Sequence, residues 1–186
     1  MEPTTEMPES DAPPLPKAAA TTIATLPRAS RVWVFAATRP LTGADEARLA
    51  GVVERVFGVW DRKSPGVRGA FEFREGRFLV VGADERAACV SGCGIDAMML
   101  WVRQFETESG LRLVDRLQVF WRAADGSVRS GPRAEFRRLL EAGEITPATR
   151  VFDTAASQSD VFLDGRFELP LAESWHAQIF PGAAAR

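Results

Sequence analysis

Val32-Trp33-Val34-Phe35-Ala36-Ala37 is a short run rich in β-branched and aromatic residues, apolar at odd and even positions alike. Successive side chains of a strand point to opposite faces, so this pattern predicts a strand covered on both sides, in the middle of a sheet. The rest of the chain has to supply strands beside it and layers above and below it.

Thr42 and Asp45 have the spacing of a helix N-cap and its reciprocal carboxylate, and Leu49, Val52, Val53, Val56, Phe57 and Trp60 follow at helical intervals. Past Pro65 and Gly66, Ala70-Phe71-Glu72-Phe73-Arg74 alternates and Phe78-Leu79-Val80-Val81 is apolar throughout, with Glu75-Gly76 between them. These predict a hairpin, edge strand first and buried strand second. Ile95, Met98, Met99, Val102 and Phe105 then make a second helical stripe, stopped near Ser109-Gly110. Leu117-Gln118-Val119-Phe120-Trp121 predicts a further strand, with Asp125-Gly126 turning into a return strand near Val128.

The order strand, helix, strand, strand, helix, strand predicts an α+β fold with a ferredoxin-like βαββαβ core: a four-stranded antiparallel sheet, both helices on one face, and the first and third strands central. The other face needs cover, and the C-terminal part supplies it. Gly131-Pro132 opens a short helix carrying Phe136, Leu139 and Leu140, Gly143 ends it, Arg150-Val151-Phe152 is extended, and Phe162-Leu163-Asp164-Gly165-Arg166-Phe167 predicts a hairpin with an Asp-Gly turn. Capping of the open face is favoured over dimerisation, leaving a monomer or homodimer. The expected organisation is a disordered Pro/Ala/Thr-rich tail over residues 1–30, a core over 31–122, and a C-terminal extension over 123–186 packed on it.

Charge and composition narrow the function. The 23 basic and 25 acidic residues nearly cancel, so no global field draws in nucleic acid or an anionic membrane. Arg129, Arg133, Arg137 and Arg138 form a small basic patch, too small and unsupported by stacking aromatics to argue for nucleic acid. No apolar run approaches the roughly 20 residues that span a bilayer, and the acidic N-terminus does not read as a signal peptide, so a cytoplasmic protein without membrane insertion is expected. Cys89 and Cys93, with His176 as the one histidine, are too few for a disulfide framework or a zinc site; no metal and no cofactor are expected.

The candidate site is Ser91-Gly92-Cys93-Gly94-Ile95-Asp96, small and reactive residues placed between an apolar run and a helix. Backbone N–H groups at a helix start can hold an anion, here with Ser91, Gly92 and Gly94 as the cradle and Arg116 or Arg103 as the charge partner. The same position favours a thiolate at Cys93, while the negative charge of Asp96 opposes it. Two readings stay open: Cys93 as nucleophile with His176 as base and Asp96 as an orienting carboxylate, or Cys93 as a small buried residue with Asp96 as an N3 capping carboxylate. Trp175, beside His176, is the tryptophan most suited to a ligand contact. Asp84-Glu85 is read as a solvated loop before a metal pair. No phosphate-binding G-x-x-x-x-G-K-[ST] loop occurs, so the chain is not an ATPase by motif.

Val32-Trp33-Val34-Phe35, Asp84-Glu85, Ser91 to Asp96, Asp115-Arg116, Gly143-Glu144-Ile145, Thr149 to Phe152 and Ser174-Trp175-His176 together resemble a family of small bacterial cytosolic proteins without an assigned activity, some labelled "ABC transporter ATPase". The resemblance spans about Arg31 to Phe180 and implies that Ser91 to Asp96 and Trp175-His176 belong to the family pattern, with Cys89 outside it. Leu140, Gly143, Ile145, Thr149 and Val151-Phe152 resemble part of the short GYF-like modules, which implies peptide or protein contact. The expectation is a binding or interaction protein for a small anionic ligand or a protein partner at residues 91–96, rather than an enzyme, with a thiol-dependent enzyme and a structural or dimerisation protein as alternatives.

Overall fold

The computed structural model describes residues 22–115 and 117–180. Residues 1–21, Arg116 and residues 181–186 lie outside it, and with them most of the expected tail.

The first strand, β1 (Arg31–Ala36), leads into α1 (Gly43–Lys63). The expected capping box is present: the Thr42 hydroxyl accepts from the Asp45 N–H, and the Asp45 carboxylate accepts from the Thr42 N–H. Arg39 adds a salt bridge to Asp45 and holds that carboxyl well below the usual carboxylate range. The hairpin of β2 (Arg68–Arg74) and β3 (Phe78–Asp84) turns at Glu75-Gly76, both left-handed (φ 55° and 56°), as a two-residue turn matched to strand twist requires. α2 (Gly92–Ser109) stops at Gly110, also left-handed.

Among the described residues the fold is mixed α+β, with four helices and two antiparallel sheets. The first sheet has the order β1-β3-β2, and every residue of β3 is buried. Leu117–Trp121, expected as the fourth strand of that sheet, instead provides β4 (Gln118–Arg122) of a second sheet with β5 (Val128–Pro132), β6 (Arg150–Phe152) and β7 (Glu168–Pro170), in the order β5-β4-β6-β7. The strand order therefore does not confirm a four-stranded ferredoxin-like sheet. β1 is an edge strand, and the chain passes from the first sheet unit to the second ahead of β4.

Three apolar clusters hold these layers. Phe35, Leu79 and Val81 on one face of the first sheet pack against Leu49, Val53 and Trp60 of α1 and Met98, Val102 and Phe105 of α2. On the opposite face Val32, Phe78 and Val80 meet Phe120, Phe152, Phe162 and Phe167 from the C-terminal part. Ile23 and Leu26 complete this cover, so residues 22–30, placed in the tail by composition, include a 3-10 turn at Ile23–Thr25 with Ile23 buried. The third cluster seats Phe136 of α3 (Arg133–Glu141) on Val119, Trp121 and Val151 of the second sheet. The predicted hairpin at Phe162–Phe167 is instead a short helix, α4 (Asp160–Leu163), with Gly165 left-handed just past its end. Asp-Gly serves there as a helix stop, because Phe162 is buried by local winding toward Phe167.

No helix of the described residues is long and apolar enough to cross a membrane. The joint between the sheets centres on Phe78, fully buried, whose ring lies 5.3 Å from Phe120, 5.0 Å from Phe152 and 5.1 Å from Phe167 between centroids. Phe78→Ala should cost about 3–5 kcal/mol of stability in urea unfolding, the range for truncating a fully packed phenylalanine. A loss below about 1 kcal/mol would show that the sheets are not held together there.

Candidate functional site

Ser91 caps α2: its hydroxyl accepts from the Gly94 N–H at 3.2 Å and its carbonyl from the Ile95 N–H at 3.1 Å. The Ser91 N–H donates to the Ser64 hydroxyl at 2.8 Å, and Ser64 is the residue that ends α1, so the end of one helix fixes the start of the next. The Glu85 carboxylate accepts from the Val90 N–H at 2.7 Å, and the buried Asp84 holds Arg86 through two nitrogens. That pairing keeps the Asp84 carboxyl below its ordinary value. The Asp84-Glu85 carboxylates thus tie the loop down, and no group of three or more metal-binding side chains occurs among the described residues.

The glycines of the motif have separate jobs. A Cβ on Gly94 would stand 2.9 Å from Trp60 and 3.1 Å from Val90, and the Trp60 indole N–H donates to the Gly94 carbonyl at 3.4 Å. Gly94 is bare so that the buried Trp60 can lie flat on the helix start. A Cβ on Gly92 would meet nothing. Counting from the Ser91 cap, the N3 position is Gly94, so Asp96 is not the capping carboxylate and stands exposed. Cys93 is also exposed rather than the small buried residue of the second reading, and it and Cys89 are free thiols.

His176 is placed elsewhere. It belongs to a 3-10 turn, Trp175–Gln178, and is 2% exposed. The Trp175 ring stacks on it at 3.9 Å, with the Trp175 indole N–H anchored to Asp153 at 2.8 Å. Its Nδ1 is buried and has no hydrogen-bond partner among the described residues. Burial, with the positive charge of Arg133 as a smaller cause, pushes the imidazole pKa down to about 4, so the ring is neutral at pH 7. No hydrogen bond joins His176 to Cys93 or Asp96, and the cleft that His176 lines includes neither of them. The structure does not assemble the Cys93–His176–Asp96 constellation.

That cleft, about 570 Å³, lies between the two units. Trp33 and Val34 of β1, Asp115 and Gln118, and Trp175 and His176 are among its walls. Its shape follows from the edge position of β1. The Val32 N–H donates to the Ser157 carbonyl and the Ala36 N–H to the Leu113 carbonyl, so alternate backbone groups of β1 face away from β3. Val34 lies between those two on the same side, and its N–H has no partner among the described residues. The strand edge is closed at both ends and open in the middle, at the cleft wall. Arg31 and Arg133, both exposed, line the same space, and neither forms a salt bridge among the described residues.

Of the residues expected to form a site, Trp175 and His176 thus share a cleft, Ser91, Gly92, Cys93, Gly94 and Asp96 sit at the α2 start, and Arg116 lies outside the described residues. Sequence reasoning missed Val34, Arg31, Arg133 and Gln118. The sequence carried no signal for them, because its pattern placed the first strand in the middle of a sheet, where it would have no open edge.

The two glycines give a direct test. Gly94→Ala should lose about 1–3 kcal/mol in denaturant unfolding through overpacking against Trp60, whereas Gly92→Ala should match or slightly exceed the native stability. His176 gives a second. Its folded pKa lies below the unfolded value of about 6.5, so the unfolded chain takes up a proton that the folded one refuses. Its contribution is fully present above about pH 6.5 and is lost as pH falls toward 4, at up to about 1.4 kcal/mol per pH unit. His176→Gln should flatten that part of the stability profile; an unchanged slope would mean a solvated ring. No family model, no curated protein and no solved structure matches the chain.

Proposed function

We propose that the protein is a non-catalytic binding protein that takes a small anionic ligand in the cleft between its two sheets. The observation that carries this reading is the His176 ring, almost wholly buried and neutral, with Nδ1 unpartnered, on the wall of a cleft that also presents the open backbone of Val34. A buried polar group without a partner costs stability, so a rearrangement that gives Nδ1 a hydrogen bond on ligand binding is favoured. The volume is in the usual range for small-molecule sites, and the walls combine aromatic area from Trp33 and Trp175 with polar groups such as Gln118, Arg31 and Arg133. Arg31, stacked over Trp33 at 4.7 Å, and Arg133 give the ligand its sign. The alternative place for an anion, the α2 start, has Ser91 as its own cap and an exposed first turn. The thiol reaction loses support because His176, its expected base, makes no hydrogen bond to Cys93 and lines a cleft that does not include it.

The first unit is read as a ferredoxin-like core whose fourth edge is held by an irregular segment: the Ala36 and Thr38 N–H groups donate to the Leu113 and Arg112 carbonyls where a fourth strand would run. The GYF-like resemblance of the segment from α3 to β6 agrees with a binding role.

The test is a thermal-shift titration with small carboxylates and nucleoside phosphates, using the Arg31→Ala/Arg133→Ala double variant and Ser91→Ala as controls. A ligand at one hundred times its Kd adds about 2.7 kcal/mol of stability. The expected result is stabilisation weakened at least about tenfold in the arginine variant, one lost charge-assisted contact or more. Stabilisation that survives in that variant and disappears in Ser91→Ala would move the site to the α2 start.

A further inference from the structure

A second depression, a groove of about 940 Å³, lies where the end of β1 and the β2–β3 turn meet the β4–β5 hairpin and the segment leading into β6. Its walls carry four arginines, Arg77, Arg122, Arg129 and Arg150. Three of them have carboxylate partners. Arg122 pairs with Glu75 at 2.9 Å and Glu168 at 2.6 Å, Arg150 shares Glu168 at 3.0 Å, and Arg129 reaches Asp125 at 3.3 Å.

Arg77 differs. It is 6% exposed and forms no salt bridge among the described residues. Its Nη2 donates to the Thr38 carbonyl at 3.3 Å and the Ser130 hydroxyl at 2.9 Å, and its guanidinium carbon lies 5.8 Å from the centre of the Phe120 ring. Nε is sealed without an acceptor, and Nη1 makes no hydrogen bond among the described residues. A guanidinium keeps its charge at any physiological pH, and burying one unpaired is strongly unfavourable unless something completes it. Burial alone pushes the group's pKa down. The groove's own carboxylates do not complete it: Asp125 is held by Ser127 and Arg129, Glu135 stands over Gly131, and Glu144 is exposed on the surface after α3.

We propose that this groove is an anion site in which Arg77, fixed by Thr38, Ser130 and Phe120, takes one oxyanion of a ligand, phosphoryl or carboxylate, on Nη1, the nitrogen that is neither sealed nor hydrogen-bonded. The two chemistries share what the site offers: a fixed cation with a free N–H donor at Nη1, which an oxyanion accepts as a charge-assisted hydrogen bond. The site is separate from the His176 cleft. It sits on the joint between the sheets, so occupancy also clamps β3 to β5 through Ser130.

The experiment follows the Arg77 guanidinium resonance by nitrogen-15 NMR in the full chain, titrated separately with inorganic phosphate and with acetate. A saturable shift of the Arg77 signal in the millimolar range is expected, and the anion that produces it at lower concentration identifies the ligand chemistry. Arg77→Gln should weaken the same anion's binding at least about tenfold by calorimetry, the loss of one charged pair, while Arg31→Ala should leave it unchanged. No shift of Arg77 with either anion up to tens of millimolar would overturn the proposal. So would calorimetric binding that persists in Arg77→Gln. Should that variant fail to fold, the resonance of the native chain decides by itself.

Discussion

The contact of the Phe78 ring with Phe120, Phe152 and Phe167 determines how the rest of the molecule is arranged. A β-strand that is apolar on both sides has to be covered twice. α1 and α2 cover one face of β3, and this aromatic group, brought in by the second sheet and α4, covers the other. The rings lie 5.0 to 5.3 Å from Phe78, the separation at which tilted and edge-on aromatic pairs gain beyond simple area burial.

Pulling β4 toward that cluster takes it away from β1. The first sheet therefore ends on an edge strand, and an unprotected edge invites pairing with another chain. Here the edge is blunted from both ends by Ser157 and Leu113, and only Val34 is left open, recessed in a cleft walled by Trp33, Trp175 and His176. The same joint leaves Arg77 buried between β3 and β5 without a carboxylate. His176 and Arg77, two of the groups with a buried and unpartnered nitrogen among the described residues, thus both arise where the two units meet.

The local elements were legible because their partners lie close in sequence. Thr42 and Asp45 are three residues apart, Glu75-Gly76 closes its own hairpin, and Gly110 and Gly143 terminate their helices at the positions that glycine spacing indicates. Other features were not legible. The alternation of Leu117–Trp121 specifies a strand but not which sheet it joins; that choice is made by Phe120 meeting Phe78, some forty residues away. Asp164-Gly165 fits a hairpin or a helix stop equally well, and Phe167 decided between them. The residue types at 91–96 and 176 suit a thiol reaction, but Ser91 and Gly94 are there to cap α2 and seat Trp60, while His176 turns toward β1. Residue chemistry was readable; convergence depended on tertiary contacts.

The central claim is that the two units close over β1 from both ends and leave a single backbone opening at Val34. Amide hydrogen exchange along β1 tests it most directly. Val32 and Ala36, bonded outward to Ser157 and Leu113, should be protected to the level of global unfolding, while Val34, between them on the same side, should exchange markedly faster. Equal protection of all three amides, or fast exchange at Val32 and Ala36, would contradict it.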